Sequence, residues 1–343
     1  MTTRIVHLVD DLSAGGVTRG LDYLVSGEAL GHDAMSAILP IRRGRLSAPQ
    51  IEADLIISHL SICWRNLPLL ISLRARYPHL PLVHVEHSYS AGFVRHNVVA
   101  RRRFENLLRV SYALFNNVIA VSRAQADWLS DRALVRSGAL RVISTSVDLA
   151  PFLALEPTSG RRAKVIGAIG RFHPQKGFAS LIAAFRQAAA PDQCLRLFGD
   201  GPAAHALRDA AGGDPRIEFY PFTETPAAAY AACDIVAAPS EWEPYGLVAL
   251  EARAAGRPVL ASRTDGLVDQ IGEGCVEVVE GGWAAAIAAL PDAVHTARIA
   301  AARREAIAQN RRFQTEWRRL IAELTTQRVE RDATRISLAA SHP

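Results

Sequence analysis

The feature that most constrains this chain is a regular alternation of short apolar runs with longer stretches of helical period, repeated along most of its 343 residues. Runs of four to seven apolar residues followed by helices of ten or more read as parallel strands joined by crossover helices. In the first half, strands are expected at Arg4–Val9, Asp33–Leu39, Asp54–Ser58, Leu82–Val85, Asn117–Val121 and Arg141–Ile143, with helices at Thr18–Leu30, Ile62–Arg76, Asn97–Tyr112 and Arg123–Asp131. The segment Ser144–Thr158, with Pro151 and Pro157, reads as a linker. The pattern then restarts, with strands at Lys164–Ile169, Cys194–Phe198, Arg216–Phe219, Asp234–Ala238, Pro258–Ala261 and Val276–Val279. A charged helical tail is expected from Asp292 to Arg328. The fold class is therefore α/β, with two doubly wound parallel-sheet domains. Domain boundaries are expected at 1–150 and 151–343, which matches the usual size of a domain.

Composition narrows the function classes. The apolar share of 49% is ample for two cores, and no apolar run approaches the ~18 residues needed to span a bilayer. The first residues lack the apolar length of a signal peptide. Cys63, Cys194, Cys233 and Cys275 are scattered without a Cys-x-x-Cys pair, which suits reduced thiols in the cytoplasm and no structural metal. A net charge of +5 fits anionic ligands or an anionic membrane surface, at the inner face of the membrane for a cytoplasmic chain. Nucleic acid is disfavoured, because no aromatic-interleaved basic module is present.

The strand at Asp234–Ala238 runs into Pro239-Ser-Glu-Trp-Glu-Pro-Tyr-Gly-Leu-Val-Ala-Leu-Glu-Ala252, closed by Gly256. Glu243 falls in a loop, and a helix is expected to begin near Gly246. Glu251 then shares a face with Leu247, Val248, Ala254 and Ala255, which are all apolar. A carboxylate left unpaired on a buried face costs several kcal/mol, so Glu251 is expected to hold something polar. Backbone N–H groups at Gly246, Leu247 and Val248 open a helix N-terminus suited to phosphate. A phosphate cradle flanked by two carboxylates suits a nucleotide sugar. The plainer alternative is a surface loop and an amphipathic helix with incidental acids. Elsewhere, Arg171 and Lys176 flank a loop after a second-half strand, and Lys176 is one of only two lysines in the chain. Two cations at that spacing can clamp a diphosphate and neutralise charge on a leaving nucleotide. They could equally be two solvated loop charges.

The spacing Glu243-x7-Glu251 within Pro-Ser-x-x-Glu-Pro-Tyr-Gly-Leu-Val-x-Leu-Glu-Ala, together with Gly170-Arg171-Phe172-x-x-x-Lys176-Gly177, resembles the retaining GT-B glycosyltransferases of family-4 type. The likeness is dense from about 165 to 272 and thinner before that. It implies two Rossmann-like domains facing across a cleft, with the terminal helix at about 305–328 crossing back onto the first domain. It implies a nucleotide diphosphate sugar as donor substrate, no other cofactor and no metal, and a saccharide or lipid-linked acceptor in cell-surface polysaccharide or glycolipid synthesis. By the same likeness, Arg171 and Lys176 hold the donor phosphates, Glu243 faces the transferred sugar and Glu251 the ribose.

The Gly15-Gly16 loop after the first strand would face the diphosphate and acceptor, where two glycines allow close backbone approach. Phe222 would lie near the nucleobase, against the alternative of a core phenylalanine. His87, at the end of the strand that contains His84, would lie near the reacting centre and hydrogen-bond a sugar hydroxyl or manage the acceptor proton. The alternative is a satisfied polar strand end, with His59 and Glu86 as second choices. Arg95–Arg109, with five arginines among apolar residues, reads either as a basic amphipathic face or as a core-packed helix with a solvated arginine face. Other readings stay open: a non-catalytic glycosyltransferase-like binding subunit, or another GT-B enzyme such as an epimerase or phosphorylase.

Overall fold

A computed structural model describes residues 2–13, 15–27, 29–31, 34–158, 163–222, 225–272, 274–278, 282–290 and 296–340. In chain order the first half contains β1 (Thr3–Val9), α1 (Gly16–Val25), β2 (Ala34–Pro40), β3 (Leu55–Ser58), α2 (Leu67–Arg76), β4 (Leu82–Glu86), α3 (Ala91–Asn97), α4 (Arg101–Tyr112), β5 (Asn117–Ala120), α5 (Arg123–Asp131) and β6 (Leu140–Val142). The second half contains α6 (Ala150–Leu153), β7 (Val165–Ile169), α7 (Phe178–Ala188), β8 (Cys194–Phe198), α8 (Ala204–Ala211), β9 (Ile217–Tyr220), α9 (Pro226–Ala231), β10 (Ile235–Ala238), α10 (Leu247–Ala254), β11 (Val259–Ala261), β12 (Cys275–Glu277), α11 (Gly282–Ala288) and α12 (Thr296–Ala340).

Two compact units result. The first comprises 1–89, 94–147 and 311–343, and the second comprises 90–93 and 148–310. The first unit holds a parallel sheet in the order β2-β1-β3-β4-β5-β6. Its inner strands β3, β4 and β5 are buried at every position, whereas β2 at the edge is only partly covered. That contrast explains the sequence pattern, since a strand covered on both faces reads as a continuous apolar run. The second unit repeats the layout as β12-β11-β10-β7-β8-β9, again parallel. On α7, Phe178, Leu181, Ile182 and Phe185 are all buried, at i, i+3, i+4 and i+7. That stripe faces a core with Ile166, Phe172, Leu195 and Leu197.

Each sheet reverses strand order once, between β1 and β3 in the first unit and between β7 and β10 in the second. In open parallel sheets such a reversal leaves a crevice at the carboxyl ends of the two strands, which is where ligands bind.

Several expected boundaries move. The helix expected at Ile62–Arg76 begins at Leu67, because Pro68 fits only its first turn, where a missing N–H is harmless. The helix expected at Asn97–Tyr112 begins at Arg101, after a break at Val98–Ala100 that separates it from α3, and Val99 there is fully exposed. The segment read as a linker is folded. Pro151 sits in the first turn of α6, Phe152 packs edge-on to Tyr230 with ring centres 5.3 Å apart, and Arg257 Nη1 donates to the carbonyl of Glu156 at 2.6 Å. The start of the tail at 292–295 and the end of the strand expected at Val276–Val279 lie outside the described residues. Along α12, Arg303 hydrogen-bonds the carbonyls of Leu153 and Leu155 within the second unit. Further on, Phe313 stacks on Tyr23, Gln314 Nε2 donates to the Tyr23 hydroxyl at 2.6 Å and Arg328 bonds Asp54 at 2.9 Å, all within the first unit.

Candidate active site

In the second unit, the loops leaving β7 and β10 are bound to each other. His173 caps a short 3-10 turn at Pro174–Lys176 by accepting from the Gln175 N–H at 3.2 Å. Gln175 then donates through Nε2 to the carbonyl of Trp242 at 3.1 Å, and its own carbonyl accepts from the Glu241 N–H at 2.8 Å. Gly177 follows with φ +64°, and a Cβ there would stand 2.0 Å from the Pro239 carbonyl oxygen. Only glycine satisfies both the left-handed backbone and that approach. The result brings Lys176 and Glu243, 67 residues apart, into a direct ion pair. Both side chains are mostly covered, at 20% and 13% exposure. Ser240 Oγ adds a second hydrogen bond to the same Glu243 oxygen at 3.1 Å.

Asp265 sets the backbone of the Glu243 loop. Its Oδ2 accepts from the Glu243 N–H at 3.1 Å, and the Glu243 carbonyl accepts from the Gly266 N–H at 2.9 Å. The same carboxylate accepts from Ser90 Oγ at 2.7 Å and from the Gly92 N–H at 2.9 Å. Asp265 carries φ +38°, an uncommon backbone state for a residue with a side chain. Ser240 and Asp265 went unread as site residues. The Asp265-Gly266 pair is a turn signal, but nothing in the sequence links it to a loop 22 residues upstream.

Gly246 has φ +95° and caps α10 without a side-chain hydrogen bond, and Leu247 and Val248 form the first turn, partly exposed. A Cβ at Gly246 would meet Leu267 at 2.4 Å. The helix end therefore keeps backbone N–H groups clear of any capping side chain. Glu251 is 1% exposed, and its Oε2 accepts from the Tyr230 hydroxyl at 2.6 Å. The expectation that this carboxylate holds something polar is met within the fold by Tyr230, which sequence reasoning did not single out. Arg171 is exposed beside the buried Phe172. Burial, then the charges of Arg171 and Lys176, lower the pKa of His173 from its ordinary value. Phe222 is 53% exposed just beyond β9, so it is not a core residue.

In the first unit, Gly15 is fully extended, a state open to any residue, and a Cβ there would meet nothing closer than Ser13 O at 3.9 Å. Neither backbone nor packing demands glycine at this point. Gly16 opens α1. His87 follows β4 and is held by its neighbours. The Glu86 carboxylate accepts from the Ser88 and Tyr89 N–H groups at 2.8 and 2.9 Å and from the Tyr112 hydroxyl at 2.6 Å. Burial opposes ionisation of Glu86, but these bonds and His84 outweigh it and keep its pKa below the ordinary value. Gln125 Nε2 clamps the same turn through the carbonyls of Glu86 and Tyr89 at 3.1 and 2.7 Å. Ser122 Oγ meanwhile caps α5 by accepting from the Gln125 N–H at 3.1 Å. His87 Nε2 meets His59 Nδ1 at 2.8 Å.

Solved structures share this architecture. HepE of Anabaena, in a structure described as a complex with UDP and glucose, superposes with a TM-score of 0.68 over 94% of this chain and 99% of its own, at 20% identity. That likeness is one of fold, and the fold is GT-B. Family models agree: residues 163–297 match "Glycosyl transferases group 1" and residues 30–151 match "Glycosyltransferase Family 4". The chain belongs to the GT-B glycosyltransferases of family-4 type. Among curated relatives, the D-inositol 3-phosphate glycosyltransferase of Corynebacterium efficiens is 33% identical across 71% of this chain and 64% of its own length. Its namesake from Salinispora tropica is 32% identical across 64% of this chain and 54% of its own. The chain thus spans about half to two thirds of these two relatives.

Proposed function

We propose that this chain moves a sugar from a nucleotide diphosphate sugar to an acceptor hydroxyl, with retention at the anomeric carbon. The observation that carries the reading is the Lys176–Glu243 pair, built at the carboxyl ends of the two strands that flank the order reversal of the second sheet. A cation and a carboxylate fixed together at that point match the two halves of the donor. Lys176 and Arg171 take the diphosphate with the α10 N-terminus at Gly246, Leu247 and Val248, and Glu243 takes the sugar hydroxyls. Glu251 approaches the ribose from beneath that helix end, and the exposed Phe222 lies against the base. In the first unit, Gly15, Gly16 and His87 serve the acceptor. The bond from the anomeric carbon to the leaving phosphate oxygen breaks, and the acceptor oxygen bonds on the same face. The acceptor proton passes to the departing phosphate. The two cations offset the charge on that phosphate, so the donor site needs no metal.

The acceptor is a saccharide or lipid-linked hydroxyl in cell-surface polysaccharide or glycolipid synthesis. Exposed Arg95, Arg101, Arg102 and Arg103, together with exposed Val99 and Trp64, suit work in the cytoplasm at an anionic membrane face. Among the described residues no helix is long and apolar enough to cross a membrane. A thermal-shift screen of nucleotide sugars tests the donor, followed by transfer assays on inositol phosphate, oligosaccharide and lipid-linked acceptors with anomeric configuration read by NMR. Release of nucleotide diphosphate only when acceptor is present supports the reading. A donor that binds without ever being turned over, or a product of inverted configuration, refutes it.

A further inference from the structure

Three histidines cross the first sheet in a single line. His7 lies on β1, His59 just beyond β3 and His87 just beyond β4, three strands that are neighbours in the sheet. Because His7 pairs in register with Ile57, His59 stands two residues further along on the same face. His87 bears the same relation to Val85, which lies level with His59. Side chains two residues apart on a strand point the same way, so the rings meet diagonally. His7 Nδ1 is 3.0 Å from His59 Nε2, and His59 Nδ1 is 2.8 Å from His87 Nε2. The ring planes are inclined by only 24° and 21°, with centres 5.3 and 5.1 Å apart, so the rings meet edge to edge. At the far end, His7 Nε2 reaches Ser36 Oγ at 3.4 Å on the edge strand β2. The nitrogens aim at one another rather than at a common point, and no metal-binding group of three side chains occurs among the described residues.

A neutral imidazole has one N–H and one lone pair, and each contact between rings needs one proton. Two contacts in series therefore admit only two arrangements of neutral rings. In one, every Nε2 carries the proton and the line ends with Ser36 as acceptor. In the other, every Nδ1 carries it and Ser36 donates. Burial favours neutral rings throughout, lowering the pKa of His7 to about 3 and of His87 to about 4. Any mixed arrangement sets two N–H groups or two lone pairs face to face, leaving buried polar groups unpaired. Among the described residues the Nδ1 of His87 makes no hydrogen bond, so it is the end through which the line acts.

We infer that His7 and His59 are positioning residues that hold all three rings in one common tautomer, and so decide whether His87 presents a donor or an acceptor to a substrate hydroxyl. The first part rests on geometry alone. The second rests on the proposed place of His87 at the reacting centre.

Long-range 1H–15N spectra of the chain labelled at histidine read each ring's tautomer directly. The expected result is the same protonated nitrogen in His7, His59 and His87. In His59→Phe the ring pattern of His87 should shift toward a mixture of tautomers, with kcat down on the order of tenfold and donor Kd unchanged. That is less than the roughly 10²–10⁴ contributed by a general acid or base, because His87 itself remains. Should His59→Phe fail to fold, His7→Phe cuts the tie to Ser36 and should also loosen the pattern at His87. Different tautomers among the three rings, or a His87 pattern unmoved in both variants, would overturn the common tautomer. Coupled tautomers with kcat unchanged would uphold the line of rings and overturn the placement of His87 at the reacting centre.

Discussion

Acid should loosen the first unit through its histidines well before its carboxylates titrate. Burial lowers the pKa of His7 to about 3 and of His87 to about 4, and it lowers His59 well below the ordinary 6.5, with the neighbouring histidines adding to the effect. An unfolded chain has no such burial, so its histidines bind protons near 6.5. Between 6.5 and about 4 the unfolded state therefore holds more protons than the folded one, and stability falls as pH falls. The contribution is fully present above the unfolded value and is lost on acidification. From pH 7.5 to 5.5 each ring held neutral loses about 1.4 kcal/mol, so three rings lose about 4 kcal/mol. Glu86 also loses stability in acid, but its ordinary value is 4.5 and its folded value is lower, which puts that loss below the window.

The two units need not unfold together, so a single melting temperature is a poor reporter. Urea-dependent hydrogen exchange of peptides covering 3–9, 55–59 and 82–87 follows the sheet that carries the rings. The control is the chain with all three histidines replaced by glutamine, which removes their titration and keeps polar groups in place. The wild type should lose about 4 kcal/mol more than the control between pH 7.5 and 5.5. Equal losses would refute the reasoning. A loss nearer one third of that figure would mean that one ring stays charged, because such a ring gains about 1.4 kcal/mol over the same interval as only its unfolded form takes up a proton. By geometry that ring is His59, because only the middle imidazole can donate to a neighbour on each side.

Other perturbations have equally definite outcomes. Lys176→Ala should cut kcat on the order of 10²–10³-fold with the fold intact by circular dichroism. Glu243→Gln should weaken donor-sugar discrimination more than nucleotide binding, measured by calorimetry with nucleotide diphosphate and the complete donor. Tyr230→Phe removes the hydroxyl bonded to Glu251 and should cost about 1.5–3 kcal/mol of second-unit stability, read by hydrogen exchange over 226–231 and 247–254. Gly177→Ala must move either the 3-10 turn or Pro239, costing about 3 kcal/mol, and should lower turnover by displacing Lys176.

The strands were legible because most are short, apolar and covered on both faces, and the turns between them carry glycine or proline. What sequence could not supply was the joining of distant loops. Lys176 and Glu243 are each readable as charges in loops, but their pairing depends on β10 lying beside β7, a strand order that local pattern does not encode. Ser240 and Asp265 stayed silent for the same reason: each is an ordinary polar residue until the fold places it against Glu243. Proline misled where it was read only as a breaker. Pro151 starts a turn of helix, and the segment around it is packed rather than free.

The buried polar residues divide into two kinds, and the division bears on function. Glu86 is satisfied on all sides by Tyr112, His84 and two backbone N–H groups, and such a closed network shapes a turn without needing a ligand. The histidine line is open at one end, since every contact but the last is internal and the last belongs to His87. A sheet interior stabilised only by packing would be better served by apolar residues at 7 and 59, which carry no desolvation cost. Keeping imidazoles there makes physical sense if the state of the terminal ring matters to something outside the sheet. The network around Glu86 then has a second consequence: by fixing the turn at 86–89, it fixes the position from which that terminal ring can act.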